Sequence, residues 1–203
     1  MIIRFNFAAG ILTLLLFLGS ARGQISAQIL LDNICNGVLA DSAEQQLEVR
    51  GSGDIATRQM LSAELPSLLS KVKSIKSVVL LAKLSGALQL VSTVPALSDL
   101  LTSDKSKPMM MATLYQTEEL IDDPVGAALV QIGNPSVLPV SGLLQSSDMS
   151  TRRRAVRVLT KIRTPDAVAE LRRANRSEQD EQIRALIQSG LKQQLALPSV
   201  KGK

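Results

Sequence analysis

The chain has no histidine and no tryptophan, and its 203 residues hold one tyrosine and one cysteine. The three phenylalanines, Phe5, Phe7 and Phe17, fall within the first 17 positions, so Tyr115 is the only aromatic side chain beyond them. Each absence excludes a chemistry. Without an imidazole, the Ser-His-Asp and Cys-His relays have no group to take the proton from the nucleophile. A zinc site needs clusters of Cys or His, and none can form. No G-x-G-x-x-G or Walker-type loop offers backbone amides to a phosphate. A carboxylate-only glycosidase usually needs aromatic platforms for its sugar as well, and one tyrosine is a poor supply. Single-stranded nucleic acid, which stacks on aromatic side chains, is disfavoured for the same reason. No catalytic residue, cofactor-binding residue or metal ligand is assigned, and the chain is read as non-enzymatic.

The lone Cys35 has no partner for an internal disulfide. On a helix it reads as a small buried apolar side chain, the alternative being an intermolecular disulfide. Its distance from the N-terminal apolar run and its setting, Asp32-Asn33-Ile34-Cys35, do not suit lipid attachment. Gly and Pro clusters are few, while Leu, Ala, Val and Ser dominate, which favours helix over sheet. Hydrophobic residues are 45% of the chain, enough to form the core of one domain or one short repeat array.

Met1 to Gly23 reads as an export signal. Arg4 supplies a positive start, Ala8 to Leu18 an apolar stretch, and Ala21-Arg22-Gly23 a small-x-small cleavage pattern. The apolar run is short for a spanning helix, and no later run is long enough, so the mature chain is expected to be exported, periplasmic or extracellular, without a transmembrane segment.

Residues 24–121 read as an N-terminal helical region and residues 196–203 as a flexible basic tail. Helices are expected from Gln24 to Leu39, Ile55 to Val72, Ile75 to Leu90 and Pro95 to Leu101, with Leu47 to Asp54 (LEVRGSGD) as a loop. Met109 to Leu120 is a short helix candidate; its three methionines are core or a soft binding patch. From Asp122 the start signals sharpen. Asp123-Pro124, Asn134-Pro135 and Thr164-Pro165 each pair a side-chain cap with Pro at the first helical position. Ser177-Glu178-Gln179-Asp180 resembles a capping box, and another start lies near Asp148 to Ser150. The acidic pairs Glu118-Glu119 and Asp122-Asp123 read as solvated helix-start charges.

Internal repetition underlies this pattern. Val125, Leu129, Ile132 and Pro135 recur thirty residues later as Ala155, Leu159, Ile162 and Pro165. Arg152-x-x-Ala155-x-x-x-Leu159 recurs as Arg184-x-x-Ile187-x-x-x-Leu191. Leu65-Pro66-Ser67-Leu68, Val94-Pro95-Ala96-Leu97 and Leu138-Pro139-Val140 echo one another. Two short helices cannot bury their own apolar stripes, but stacked pairs can, which predicts an all-α superhelix over 122–195 and degenerate pairs before it.

The stretch from Pro124 to Ala174 resembles bacterial HEAT repeats of the short type also found in phycobilisome-lyase-like proteins. The resemblance rests on Arg152, Ala155, Leu159, Ile162 and Pro165 for the first helix, and on Val94-Pro95-Ala96-Leu97 for the second. Ser141 departs from the expected Leu, and about fourteen extra residues separate the Pro95 and Pro139 units. The resemblance implies an armadillo-type scaffold that binds other macromolecules, with an unidentified protein as partner, and carries over no catalytic residues.

One charge feature stands out. Met149 to Lys203 holds thirteen Lys or Arg against five Asp or Glu. Arg152, Arg153, Arg154 and Arg157 crowd one helix, and Arg172, Arg173 and Arg176 the next. Joined into a patch they would bind an anionic polymer or a lipid surface; as separate solvated faces they would pair with Glu170, Glu178 and Glu181. Duplex DNA would also suit such a patch through its phosphates, but the export signal argues against access to it.

Overall fold

The computed structural model describes residues 25–103 and 123–195. The export signal, the methionine run with Tyr115, the pairs Glu118-Glu119 and Asp122, and the basic tail lie outside them. The described residues form ten α-helices and no strand. In chain order they are α1 (Ala27–Asn36), α2 (Ala40–Gly53), α3 (Ile55–Lys71), α4 (Ile75–Ala87) and α5 (Val94–Thr102). After the second described stretch begins come α6 (Pro124–Ile132), α7 (Val137–Gly142), α8 (Met149–Ile162), α9 (Pro165–Ser177) and α10 (Glu181–Leu195). Short 3₁₀ turns lead into α5 (Val91–Thr93) and α7 (Asn134–Ser136), and a third (Leu143–Gln145) follows α7.

The start signals explain most of these boundaries. Asp54, Ser74, Asp123, Asp148 and Thr164 each accept a hydrogen bond from a first-turn backbone N–H. Pro124 and Pro165 occupy the position where a missing N–H costs nothing. Three expectations need correction. Asn134 does not cap a helix: it opens a 3₁₀ turn, and its side-chain amide donates to Asp166 Oδ2 at 3.0 Å. The capping box at Ser177 does not form: Asp180 is the cap, accepting from Gln182 N at 2.9 Å and Ile183 N at 3.0 Å. Ser177 instead ends α9, and Glu178 is engaged by Arg152. Nor is Leu47 to Asp54 a loop, since α2 runs through to Gly53. Leu47 is fully buried, and a Cβ on Gly51 would stand 2.6 Å from Leu88 Cδ1. Gly51 therefore serves close packing rather than a turn.

The proline echoes are not structurally equivalent. Pro95 opens α5, whereas Pro66 lies inside α3. A proline inside a helix leaves the carbonyl four residues earlier without its donor. That carbonyl belongs to Ser62, and Ser92 Oγ, in the turn before α5, donates to it at 2.7 Å. The defect in α3 thus becomes an attachment point for the next helical pair.

The helices form two layers. α2, α4, α6, α8 and α10 pack in sequence in one; α3, α5, α7 and α9 pack in sequence in the other. α1 lies against α2 and α4. The core is the seam between the layers, and the repeat residues point into it: Val125, Leu129, Ala155 and Leu159 are fully buried. The arginine signature also repeats as structure. Arg152 Nη1 donates to Ser146 O at 2.9 Å, six residues back, and Arg184 Nε to Glu178 O at 3.2 Å, again six back. Each arginine satisfies a carbonyl just past the preceding helical segment. Among the described residues no single helix is long and apolar enough to cross a membrane. The bent pair Pro124–Ile132 and Asn134–Gln145 passes by composition, but Val125, Leu129 and Val140 within it are core.

Glu44 on α2 is buried in this stack, with its side chain 1% exposed. Lys83 Nζ reaches one oxygen at 3.2 Å, while Oε1 has no hydrogen-bond partner among the described residues. Burial raises its pKa above the ordinary value, against the pull of Lys83. The folded state then holds this proton more tightly than the unfolded chain. The resulting stabilisation is present below the ordinary glutamate value and is lost as pH rises through the raised one. Asp41 and Asp54, lowered chiefly by Lys76 and Thr57, give the opposite slope and cancel in a mutant comparison. Glu44→Gln is therefore expected to gain on the wild type in melting temperature as pH rises from the acidic range to neutral. Parallel profiles would refute the assignment.

Candidate interaction surface

The structure distributes the seven arginines rather than gathering them. Successive helical residues turn by about 100°, so Arg152, Arg153, Arg154 and Arg157 cannot share one face of α8. Arg152 is 16% exposed and bonded to Glu178 Oε2 at 3.2 Å and to the Ser146 carbonyl. Arg153 donates to Gln182 Oε1 at 3.1 Å on α10. Arg157, four residues on from Arg153 and half-buried, continues that face. Arg172, Arg173 and Arg176 are exposed on α9, in the other layer. Arg173 approaches Glu170 at 4.0 Å and is 77% exposed, an arrangement that leaves its charge largely in water.

Arg154 is an internal residue. Its Nε and Nη2 each donate to Asp123 at 2.8 Å, and its Nη1 donates to the Leu101 carbonyl at 2.6 Å. The paired side chains are 5% and 1% exposed. Asp123, expected as a solvated charge, is thus a buried fork that also accepts from Gly126 N at 2.9 Å. The guanidinium matches the carboxylate bidentately and joins α8 to the start of α6 and the end of α5. The sequence carried a signal for this: Arg154 follows Thr151 by three and precedes Val158 by four, bordering the buried stripe of α8.

What the sequence did not indicate is a groove. Two contiguous depressions, of about 270 and 280 Å³, run between α7 with its 3₁₀ extension and α9. Leu144, Gln145 and Ala174 belong to both. One end is lined by Leu138, Ser141 and Arg173, the other by Ser146, Arg152 and Glu178. Leu138, on the rim, is 77% exposed. The Leu138 end is mainly apolar and the Arg152 end mainly polar; an exposed leucine and a solvated arginine beside an apolar lining suit an extended peptide better than a small reacting molecule. Among the described residues no group of His, Cys, Asp or Glu is placed to hold a metal ion.

Two packed layers of helices contributed alternately along the chain, with a groove between α7 and α9, fit an all-α repeat protein of the solenoid kind. The family model for HEAT repeats matches residues 125–192, from α6 to α10. That part of the chain carries HEAT repeats, and such repeats suggest a scaffold for protein interaction. No curated protein and no solved structure matches the chain significantly.

Proposed function

We propose that this protein is an exported, non-catalytic scaffold that holds a protein partner along the α7–α9 groove. The observation that carries the reading is Leu138, exposed on the rim of a groove whose floor is Leu144 and Ala174. The export reading rests on the N-terminal sequence alone, with its Arg4, apolar run and small-x-small site. The helices before residue 104 are taken as degenerate units of the same stack. A second reading has the α9 arginines binding an anionic polymer or membrane surface, and the exposure of Arg172, Arg173 and Arg176 supports it.

Affinity capture from an envelope extract, at low and high salt, separates the two. The scaffold reading expects a stoichiometric protein that survives high salt and is lost in Leu138→Glu. The arginine reading expects ligands held only at low salt. Reversal of Arg172, Arg173 and Arg176 to Glu should then remove binding to an anionic glycan column and abolish its steep salt dependence. A partner retained by Leu138→Glu at high salt would overturn the groove assignment.

A further inference from the structure

The layer of α2, α4, α6, α8 and α10 has its charges matched at one end and unmatched at the other. Lys76 and Lys83 on α4 each pair with a carboxylate on α2, Asp41 at 2.6 Å and Glu44 at 3.2 Å. α6 (PVGAALVQI) has no charged residue at all. The outward face of α8 carries Arg153, Arg157 and Lys161, three cations four residues apart. Each such step turns by about 40° and rises by about 6 Å, so the three form one row about 12 Å long. Arg153 donates only to neutral atoms, Gln182 Oε1 at 3.1 Å and Met149 Sδ at 3.8 Å. Among the described residues none of the three forms an ion pair, and Glu181, the one carboxylate of α10, does not join them. Elsewhere on the same helix Arg152 is taken by Glu178 and Arg154 by Asp123. Those two arginines hold the fold together; the outward row carries charge that the fold does not use.

We propose that this row binds a linear acidic polysaccharide, whose carboxylate or sulfate groups lie along α8. The site stands apart from the groove and from the α9 arginines, which belong to the other layer. Three features favour this occupant. Cations without an internal partner attract an anion without first giving up an ion pair. The row is also one helix wide: the exposed residues of α6 are the uncharged Ala127 and Gln131, and Gln182 on α10 lies against Arg153. A bilayer or a duplex nucleic acid presents its anions over a broad front and would call for cations on the neighbouring helices as well. A single extended chain does not. Finally, Gln131 and Gln182 offer amides to sugar hydroxyls, which an acidic peptide such as polyglutamate lacks.

The test is isothermal titration of the protein, purified after expression of the full chain, with polygalacturonate and dextran sulfate over a range of salt. Wild type should bind, and its affinity should fall steeply as salt rises. Arg157 and Lys161 make no hydrogen bond or ion pair among the described residues, so Arg157→Gln with Lys161→Gln should leave the melting temperature unchanged. The same double change should weaken binding at least about tenfold and flatten its salt dependence. Changing Arg172, Arg173 and Arg176 to Gln should leave the affinity within about twofold. Loss of binding in the α9 variant with none in the α8 variant would place the polymer on α9 and overturn the proposal. So would a wild type that binds neither polysaccharide, or one that binds polyglutamate, duplex DNA or phosphatidylglycerol vesicles more tightly. Glu118, Glu119 and Asp122 lie outside the described residues, and binding that appears only once they are changed to Gln, Gln and Asn would assign the row to the chain's own carboxylates and overturn it as well.

Discussion

Arg154→Ala is expected to destabilise the fold by about 3–5 kcal/mol, because it strands a buried carboxylate. Asp123 would keep one backbone donor, Gly126 N, and lose both guanidinium contacts in a site where its side chain is 1% exposed. Leu101 O would lose its 2.6 Å donor at the same time. A domain of this size has about 5–15 kcal/mol in total, so the loss is a large fraction of it. The double replacement Arg154→Met with Asp123→Asn removes both charges and should cost far less than the single change. Urea unfolding followed by circular dichroism measures both. If the single change cost under about 1 kcal/mol, or if the two changes were simply additive, the pair would be no more than a surface ion pair. The contact joins α5, α6 and α8, elements on both sides of residues 104–122, so Arg154→Ala should also loosen the start of α6.

The fold was legible where its signals are local. Caps and prolines before α6, α8 and α9 act through neighbours one turn away, so their spacing alone located the helix starts. The thirty-residue recurrence was legible because stacking requires the same apolar positions in each unit. What escaped depends on contacts distant in sequence. Gly51 looks like turn punctuation until Leu88 is packed against it. Pro66 looks like a repeat of Pro95 until the Ser62 carbonyl is seen bonded to Ser92. The arginine run gave the right composition and a misleading geometry. Local spacing could separate Arg153 and Arg157 from Arg154, but only the fold placed Asp123 opposite it, thirty-one residues away. The groove had no sequence signal, because it is a space between α7 and α9 rather than a property of either. Leu138 differs from its buried neighbours Val137 and Val140 only in the face it takes.

Gly86→Val is expected to cost about 3 kcal/mol, the upper end of the range for overpacking, through a close approach between α4 and α6. A Cβ on Gly86 would lie 2.8 Å from Ala128 Cα and against the Gln131 side chain. The glutamine can swing away. The α-carbon belongs to the backbone of α6, so relief requires the two helices to separate. Two effects compete at this site. Gly in a helix is about 0.5–1 kcal/mol worse than Ala, so any side chain brings some gain in helix propensity. The contact outweighs that gain, because displacing α6 also disturbs Asp123 at its N-cap and, through it, Arg154. Gly53→Ala isolates the propensity effect. Nothing lies within 4 Å of its Cβ position, and it ends α2 at an ordinary helical backbone. That variant should gain about 0.5–1 kcal/mol, opposite in sign to the change at Gly86. Thermal melts of the two variants beside wild type decide the matter. If both shift upward, the α4–α6 contact is looser than the 2.8 Å approach to Ala128 Cα implies.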